Sequence, residues 1–185
     1  MRRLIMWNIV TLDGYFEGVK SWDLPPHQQL WGEELERFSL EQLESADMLV
    51  FGRVTYEGMA AHWTTAEGAV ADYMNKLPKL VCSGTLSSAS WNNTTLVKDN
   101  VTEGVARLKQ QGSGNMFVFG SADLSRTLMD EGLFDEYRIG VAPVIHGRGR
   151  RLFSDGLNPQ GLQLHETRVL ENGCVILRYL AGGGA

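Results

Sequence analysis

Short apolar runs alternate with amphipathic stretches along the first three quarters of the chain. Residues Leu4 to Leu12 read as a first strand, followed by a loop from Asp13 to Pro26 rich in Gly, Pro and Trp. Trp31, Leu35, Phe38 and Leu43 recur at near-helical spacing and predict a helix over about residues 28–45. Met48–Phe51 is the second strand, and short helices follow around Thr55–Ala61 and Ala66–Lys76. Lys79–Ser83 and Thr95–Val97 are strands. Asn100-Val101-Thr102-Glu103 reads as a capping box opening a helix whose stripe is Val101, Val105 and Leu108. The Met116–Phe119 strand leads into a helix from Ser121 to Glu131, with Gly132 placed as a C-cap. After the Tyr137–Val141 strand the pattern changes. Leu162–Leu170 and Cys174–Leu180 alternate like strands around Asn172-Gly173, a strong hairpin signal. The expected fold class is α/β, a mostly parallel central sheet flanked by helices with a C-terminal antiparallel β-hairpin. One domain over residues 1–180 and a flexible Gly-rich tail over 181–185 complete the expectation.

Composition narrows the partners. The 185 residues carry a formal net charge of −5, against the basic face that a nucleic-acid binder needs. The apolar N-terminal run meets Asn8 and Asp13 too soon for a signal peptide or a membrane span. Cys82 and Cys174 lie in separate apolar runs and read as buried free thiols, with a cytoplasmic location expected. His27, His62, His146 and His165 show no ligand spacing, so no metal is expected.

The chemistry concentrates in two glycine turns, Gly52-Arg53-Val54-Thr55-Tyr56-Glu57 and Phe119-Gly120-Ser121-Ala122-Asp123-Leu124. Each follows a strand and opens a helix. A helix start offers unpaired N–H groups and a positive dipole end, which suits phosphate. Each turn alone also fits a plain corner, with Arg53 paired to a surface carboxylate and Ser121 capping its helix.

Taken together with Thr11-Leu12-Asp13-Gly14-Tyr15, Cys82-Ser83-Gly84 and Asp135-Glu136-Tyr137 through Ala142-Pro143-Val144, these turns resemble the dihydrofolate-reductase-like fold. The likeness is nearest to the reductase half of the bifunctional riboflavin-biosynthesis deaminase/reductase and its stand-alone relatives. The resemblance implies an oxidoreductase that uses NADPH to reduce a small pterin-like or pyrimidine-like heterocycle by hydride transfer. It implies cofactor contacts from Thr11, Gly52, Arg53, Thr55, Ser83, Gly84, Gly120, Ser121, Ala122 and Leu124. Trp22, Tyr56, Pro143 and Val144 would meet the substrate. Asp13 is the candidate acid, and the same Asp-Gly pair also reads as a turn former. Dihydrofolate reductases carry one acid on the first helix, where Glu33, Glu34 and Glu36 are the only nearby candidates. The zinc-ligand motifs of the deaminase half are absent. The basic loop His146–Arg151 reads either as a phosphate contact or as a solvated loop. A homodimer through the final strands is expected, and a non-catalytic nucleotide-binding or flavin-binding domain is the alternative.

Overall fold

The computed structural model describes residues 1–182; the expected tail falls largely on residues 183–185, outside the described residues. Eight strands form the main sheet. They are β1 (Arg3–Thr11), β3 (Ala46–Gly52), β4 (Lys79–Cys82), β5 (Thr94–Val97), β6 (Asn115–Phe119), β7 (Glu136–Ala142), β9 (Leu162–Val169) and β10 (Val175–Ala181). Their order is β5-β4-β3-β6-β1-β7-β10-β9. The six from β5 to β7 run parallel, and β10 and β9 add antiparallel pairs at one edge. Parallel strands need long crossovers, most of them helical here, and the helices cover both faces and leave continuous apolar runs between them. Leu4, Ile5 and Met6 on β1 and Leu49, Val50 and Phe51 on β3 accordingly have no exposed surface.

Helices α1 (Pro25–Leu30), α2 (Glu33–Glu44), α3 (Arg53–Trp63) and α4 (Ala69–Lys76) lie on one face, over Trp7, Phe51 and Phe117. On the other face, over Leu4, Met116 and Val118, lie α5 (Val101–Lys109) and α6 (Ala122–Asp130). The helix expected over residues 28–45 is two helices. Pro25 and Pro26 start α1, whose missing N–H groups cost nothing at that position. Trp31 then turns extended, at ψ 129°. A continuous helix would set Leu30 and Leu35 about 140° apart at 100° per residue; the break lets both bury, at 5% and 1% exposure. The capping box at Asn100 is also corrected. Asn100 is left-handed (φ 52°, ψ 45°) and its side chain makes no cap bond, because an N-cap needs extended backbone to reach the first N–H groups. A small second sheet, β2 (Tyr15–Glu17) with β8 (Arg150–Arg151), was not expected.

Where β7 meets β1 and β10 the sheet carries a buried charge cluster. Glu136 has no exposed surface, and its Oε1 accepts from Arg138 Nε at 2.6 Å and Arg178 Nε at 2.9 Å. Its Oε2 stands 2.9 Å from the Arg3 guanidinium. Burial pushes the carboxyl up, yet the bonds from Arg138 and Arg178 outweigh it and hold Glu136 below the ordinary range.

Candidate functional site

The carboxyl ends of β1, β3, β4 and β6 lie along one edge of the parallel sheet. β3 and β6 are neighbours there, but the chain leaves β3 toward β4 and leaves β6 past β1 toward β7. Adjacent strands with diverging crossovers open a crevice at their carboxyl ends. Gly52 and Gly120 terminate on that crevice.

Side-chain bonds stitch the two turns together. Gly52 N–H donates to Ser121 Oγ at 2.9 Å, and Ser121 N–H donates to Thr55 Oγ1 at 3.0 Å. Ser121 Oγ–H donates back to Phe119 O at 3.0 Å. Gly120 and Ser121 both sit at φ +57°. Ser121 is therefore not the helix cap that sequence also allowed, since its hydroxyl is committed to the neighbouring turn. Neither α3 nor α6 has a side-chain cap. The first-turn N–H groups of both helices, at residues 53–55 and 122–124, thus stand without intrahelical acceptors. All six residues line one cleft of about 650 Å³, a size that suits small-molecule sites.

Gly52, Arg53, Thr55, Gly120, Ser121, Ala122 and Leu124 line this cleft, joined by Ser83 and Gly84 from the end of β4. Ser83 Oγ accepts from Thr85 and Leu86 N–H at 3.2 and 3.0 Å, which folds the β4 turn back on itself. Arg53 reaches the mouth half exposed, paired with Glu57 at 2.9 Å. Cys82 lies beneath, its thiol pushed up to about 12 by burial and so neutral at pH 7. Trp22 also lines the cleft. Its N–H is held by Glu17, and its ring covers Gly58 so closely that a Cβ there would lie 2.3 Å away.

Five expected site residues lie elsewhere. Thr11 Oγ1 donates to Asp13 Oδ1 at 2.6 Å and accepts from Tyr15 N–H, so it shapes the turn after β1. Asp13 stands outside the cleft lining and gathers N–H groups of the 143–149 loop, from Gly147 at 2.7 Å and His146 at 3.2 Å. The Thr11 hydroxyl foremost, then those amides, hold its carboxyl down to about 2, so it carries no proton at neutral pH. Tyr56 is 4% exposed, and its hydroxyl accepts from Trp91 N–H within the core. Pro143 is exposed beside Gly173, and Val144 contributes its carbonyl to Leu12 N–H. Asp-Gly at a strand end fits either role; the bonds to amides 133 and 134 residues downstream are not visible in that dipeptide.

The sequence reading did not place Glu17, His27 and Gln42 in the cleft, which they line together with Arg150 of the basic loop that was read as either a phosphate contact or a solvated loop. Glu17 is 6% exposed and lies opposite Arg150, which also pairs with Asp123. Burial, and then His62, lower His27, leaving a neutral imidazole at pH 7. Glu17, His27 and Gln42 come from short or polar segments without a motif, so no local signal marked them. Among the described residues no His, Cys, Asp and Glu group could hold a metal, and no helix is long and apolar enough to cross a membrane.

Comparison with known proteins agrees with this architecture. The chain is 26% identical to the uncharacterized protein YyaP of Bacillus subtilis, covering 96% of this chain and 94% of that one. It is 28% identical to YwjB of the same organism, covering 90% and 91%. A putative riboflavin biosynthesis protein from Shewanella sp. PV-4 superposes with TM-score 0.79 at 20% identity, over 97% of this chain and 99% of that one. A dihydrofolate reductase from Enterococcus faecalis complexed with NADP(H) superposes with TM-score 0.67 at 14% identity, over 97% and 96%. The dihydrofolate-reductase-like fold is therefore shared across proteins of little sequence likeness. The family described as the RibD C-terminal domain matches residues 2–176, which is nearly the whole chain, and this protein belongs to that family.

Proposed function

We propose that the protein is an NADPH-dependent reductase of a small pterin-like or pyrimidine-like heterocycle. One observation carries this reading: two uncapped helix starts, bonded to each other, face a single cleft. Six free N–H groups at two dipole ends fit a diphosphate, and the Gly52 and Gly120 turns let it approach the backbone. Arg53, Thr55, Ser83 and Gly84 are the residues that would hold the adenosine ribose and its extra phosphate. When bound, the nicotinamide supplies a hydride. The residues of this chain bind, orient and exclude water: Trp7, Ile9 and Phe119 wall the cleft floor. Support also comes from the NADP(H) complex of the Enterococcus enzyme and from the likeness to a pyrimidine reductase-like protein of Corynebacterium diphtheriae, at TM-score 0.67.

Arg53 is permanently charged and reaches the cleft mouth. Charge-assisted bonds contribute about 1.5–3 kcal/mol, so NADPH is expected to bind at least about tenfold more tightly than NADH. Calorimetry with both nucleotides checks this. Equal affinities, or binding of neither, would sink the reading.

We also propose a homodimer through the β9–β10 edge. Val141, Val175 and Val169 form one cross-strand row, and Tyr179 with Leu164 another on the same face. Val169 and Leu164 are 68% and 54% exposed, an apolar strip on an edge strand that proteins ordinarily cover or charge. Light scattering should give twice the 20.6 kDa chain mass, and Leu164→Glu with Val169→Glu should halve it. A monomer mass for the unmodified protein would refute the dimer.

A further inference from the structure

The start of α6 carries a charge of the wrong sign for a diphosphate. Asp123 is the second residue of α6, so its N–H is one of the six at the cleft and its carboxylate lies in the same first turn. The positive end of a helix attracts a carboxylate as readily as a phosphate. An Asp123 left to itself would repel a diphosphate brought to that end. Its side chain makes no cap bond and is 88% exposed, so neither the helix nor the core depends on it.

One counter-charge answers it. Among the described residues the basic partner of Asp123 is Arg150, whose Nη2 donates to Asp123 Oδ1. Arg150 comes from β8, 27 residues along the chain, and is held there from behind. It pairs with Glu17 across the small β2–β8 sheet. Gly149 passes so close to β2 that a Cβ would stand 2.4 Å from Glu17 O. The guanidinium lies over the Phe16 ring, 5.9 Å from its centre, and Nη1 stands 3.8 Å from Glu17 Oε2. Glu17 is itself buried, and its other oxygen accepts from Trp22 N–H. Phe16, Glu17, Asp123 and Arg150 all line the cleft. Arg53, the other arginine of the lining, is paired with Glu57 on its own helix.

We propose that Arg150 is a positioning residue for the diphosphate: it holds the Asp123 carboxylate aside and cancels its charge, so that the free N–H groups of α6 meet the ligand unopposed. The inference rests on the reductase reading of the cleft. An ion pair this exposed adds little to stability, which leaves binding as its main effect. The effect falls on a part that NADPH and NADH share, whereas Arg53 is assigned to the extra phosphate of NADPH alone.

Arg150→Met keeps most of the side-chain length and removes the charge. It is expected to weaken NADPH and NADH alike, by about tenfold at low salt, leaving their ratio as in the unmodified protein. Measured against the unmodified protein at about 1 M salt, the loss should shrink to about threefold or less, because screening then acts within about 3 Å. Asp123→Asn removes the repelling charge and frees the guanidinium, so it should tighten both nucleotides by about threefold. Adding Asp123→Asn to Arg150→Met should restore both to within about threefold of the unmodified protein. An ion pair that merely braces the 143–151 loop predicts otherwise: either single substitution breaks it, both weaken binding, and the double variant recovers nothing. Calorimetry on the four proteins at the two salt concentrations separates these outcomes. Weaker binding in Asp123→Asn, a double variant no better than Arg150→Met, unchanged affinity in Arg150→Met or a collapsed NADPH/NADH ratio there would overturn the inference. The first of these needs only a substitution at an exposed side chain, so it decides even if Arg150→Met fails to fold. Failure of the unmodified protein to bind NADPH would instead overturn the reductase reading beneath it.

Discussion

Gly120→Val is expected to weaken NADPH binding at least about a hundredfold, whereas Gly132→Val, with a similar backbone penalty, is expected to leave it unchanged. Both glycines are left-handed, at φ +57° and +62°. A β-branched residue is an outlier in that region, and the strain costs about 1–3 kcal/mol at either position. Their surroundings differ. A Cβ on Gly132 meets nothing within 4 Å, so the chain after α6 bears only the strain. A Cβ on Gly120 meets Thr55 Oγ1 at 3.1 Å and Thr55 Cγ2 at 3.2 Å, and valine adds two methyl groups in that space. Thr55 Oγ1 is the acceptor of the Ser121 N–H bond that joins the turns. Pushing it away separates the α3 and α6 starts, and no one diphosphate then meets both sets of N–H groups. Losing two charge-assisted bonds of about 1.5–3 kcal/mol each exceeds the 2.7 kcal/mol of a hundredfold change. Calorimetry on both variants, with thermal melts to register the shared stability cost, separates strain from site damage. Equal NADPH affinity in the two variants would show that the stitched turns do not hold the nucleotide.

How far the site was legible follows from where its signals lie. Gly52 and Gly120 were visible because a strand, a glycine and a helix start occupy consecutive residues, and local chemistry requires them there. The parallel sheet was visible for the same reason, through apolar runs such as Leu4–Val10 whose two-sided burial needs no distant partner to recognise. Asp13 stayed open between acid and turn former because its partners are the amides of His146 and Gly147, far along the chain. Tyr56 was misread, since an aromatic on the first turn of α3 points either into the cleft or under it, and Trp91 settles which. Gln42 carried no signal at all. A glutamine amid the polar positions of α2 is placed by its bond to Arg138, on a strand 96 residues later. The break at Trp31 was hidden because the apolar spacing runs through it undisturbed. Local rules thus expose the glycine turns that open on the cleft, while tertiary pairing decides which polar groups line it.

The same dependence on distant partners governs stability at Lys79, where Lys79→Met is expected to lower the melting temperature by about 6–12 °C. Lys79 is 1% exposed, an unusual position for a lysine. Its Nζ donates to Met74 O at 2.7 Å, Leu77 O at 2.7 Å and Asn75 O at 3.2 Å. These are carbonyls at and just beyond the C-terminal end of α4, where a helix lacks donors and its dipole is negative. The ammonium also lies 4.5 Å over the Trp91 ring. Methionine fills the same volume and leaves three carbonyls without a donor, an expected loss of about 3 kcal/mol or about 2–4 °C for each kcal/mol in a chain of this size.

The effect has a pH signature. Burial pushes the Lys79 ammonium down to about 8 from its ordinary 10.5. Between those values the unfolded chain binds more protons than the folded one, so raising the pH favours the folded state of the unmodified protein. The methionine variant lacks that group, while the tyrosines and other lysines titrate alike in both. The stability gap between the two proteins should therefore stay constant below pH 8 and widen from about pH 8 to 10.5. Denaturant melts across that range measure it. A gap that stays constant through the window would show that Lys79 is not strained by its burial. A melting change under about 2 °C at pH 7 would show that the three carbonyls find other donors.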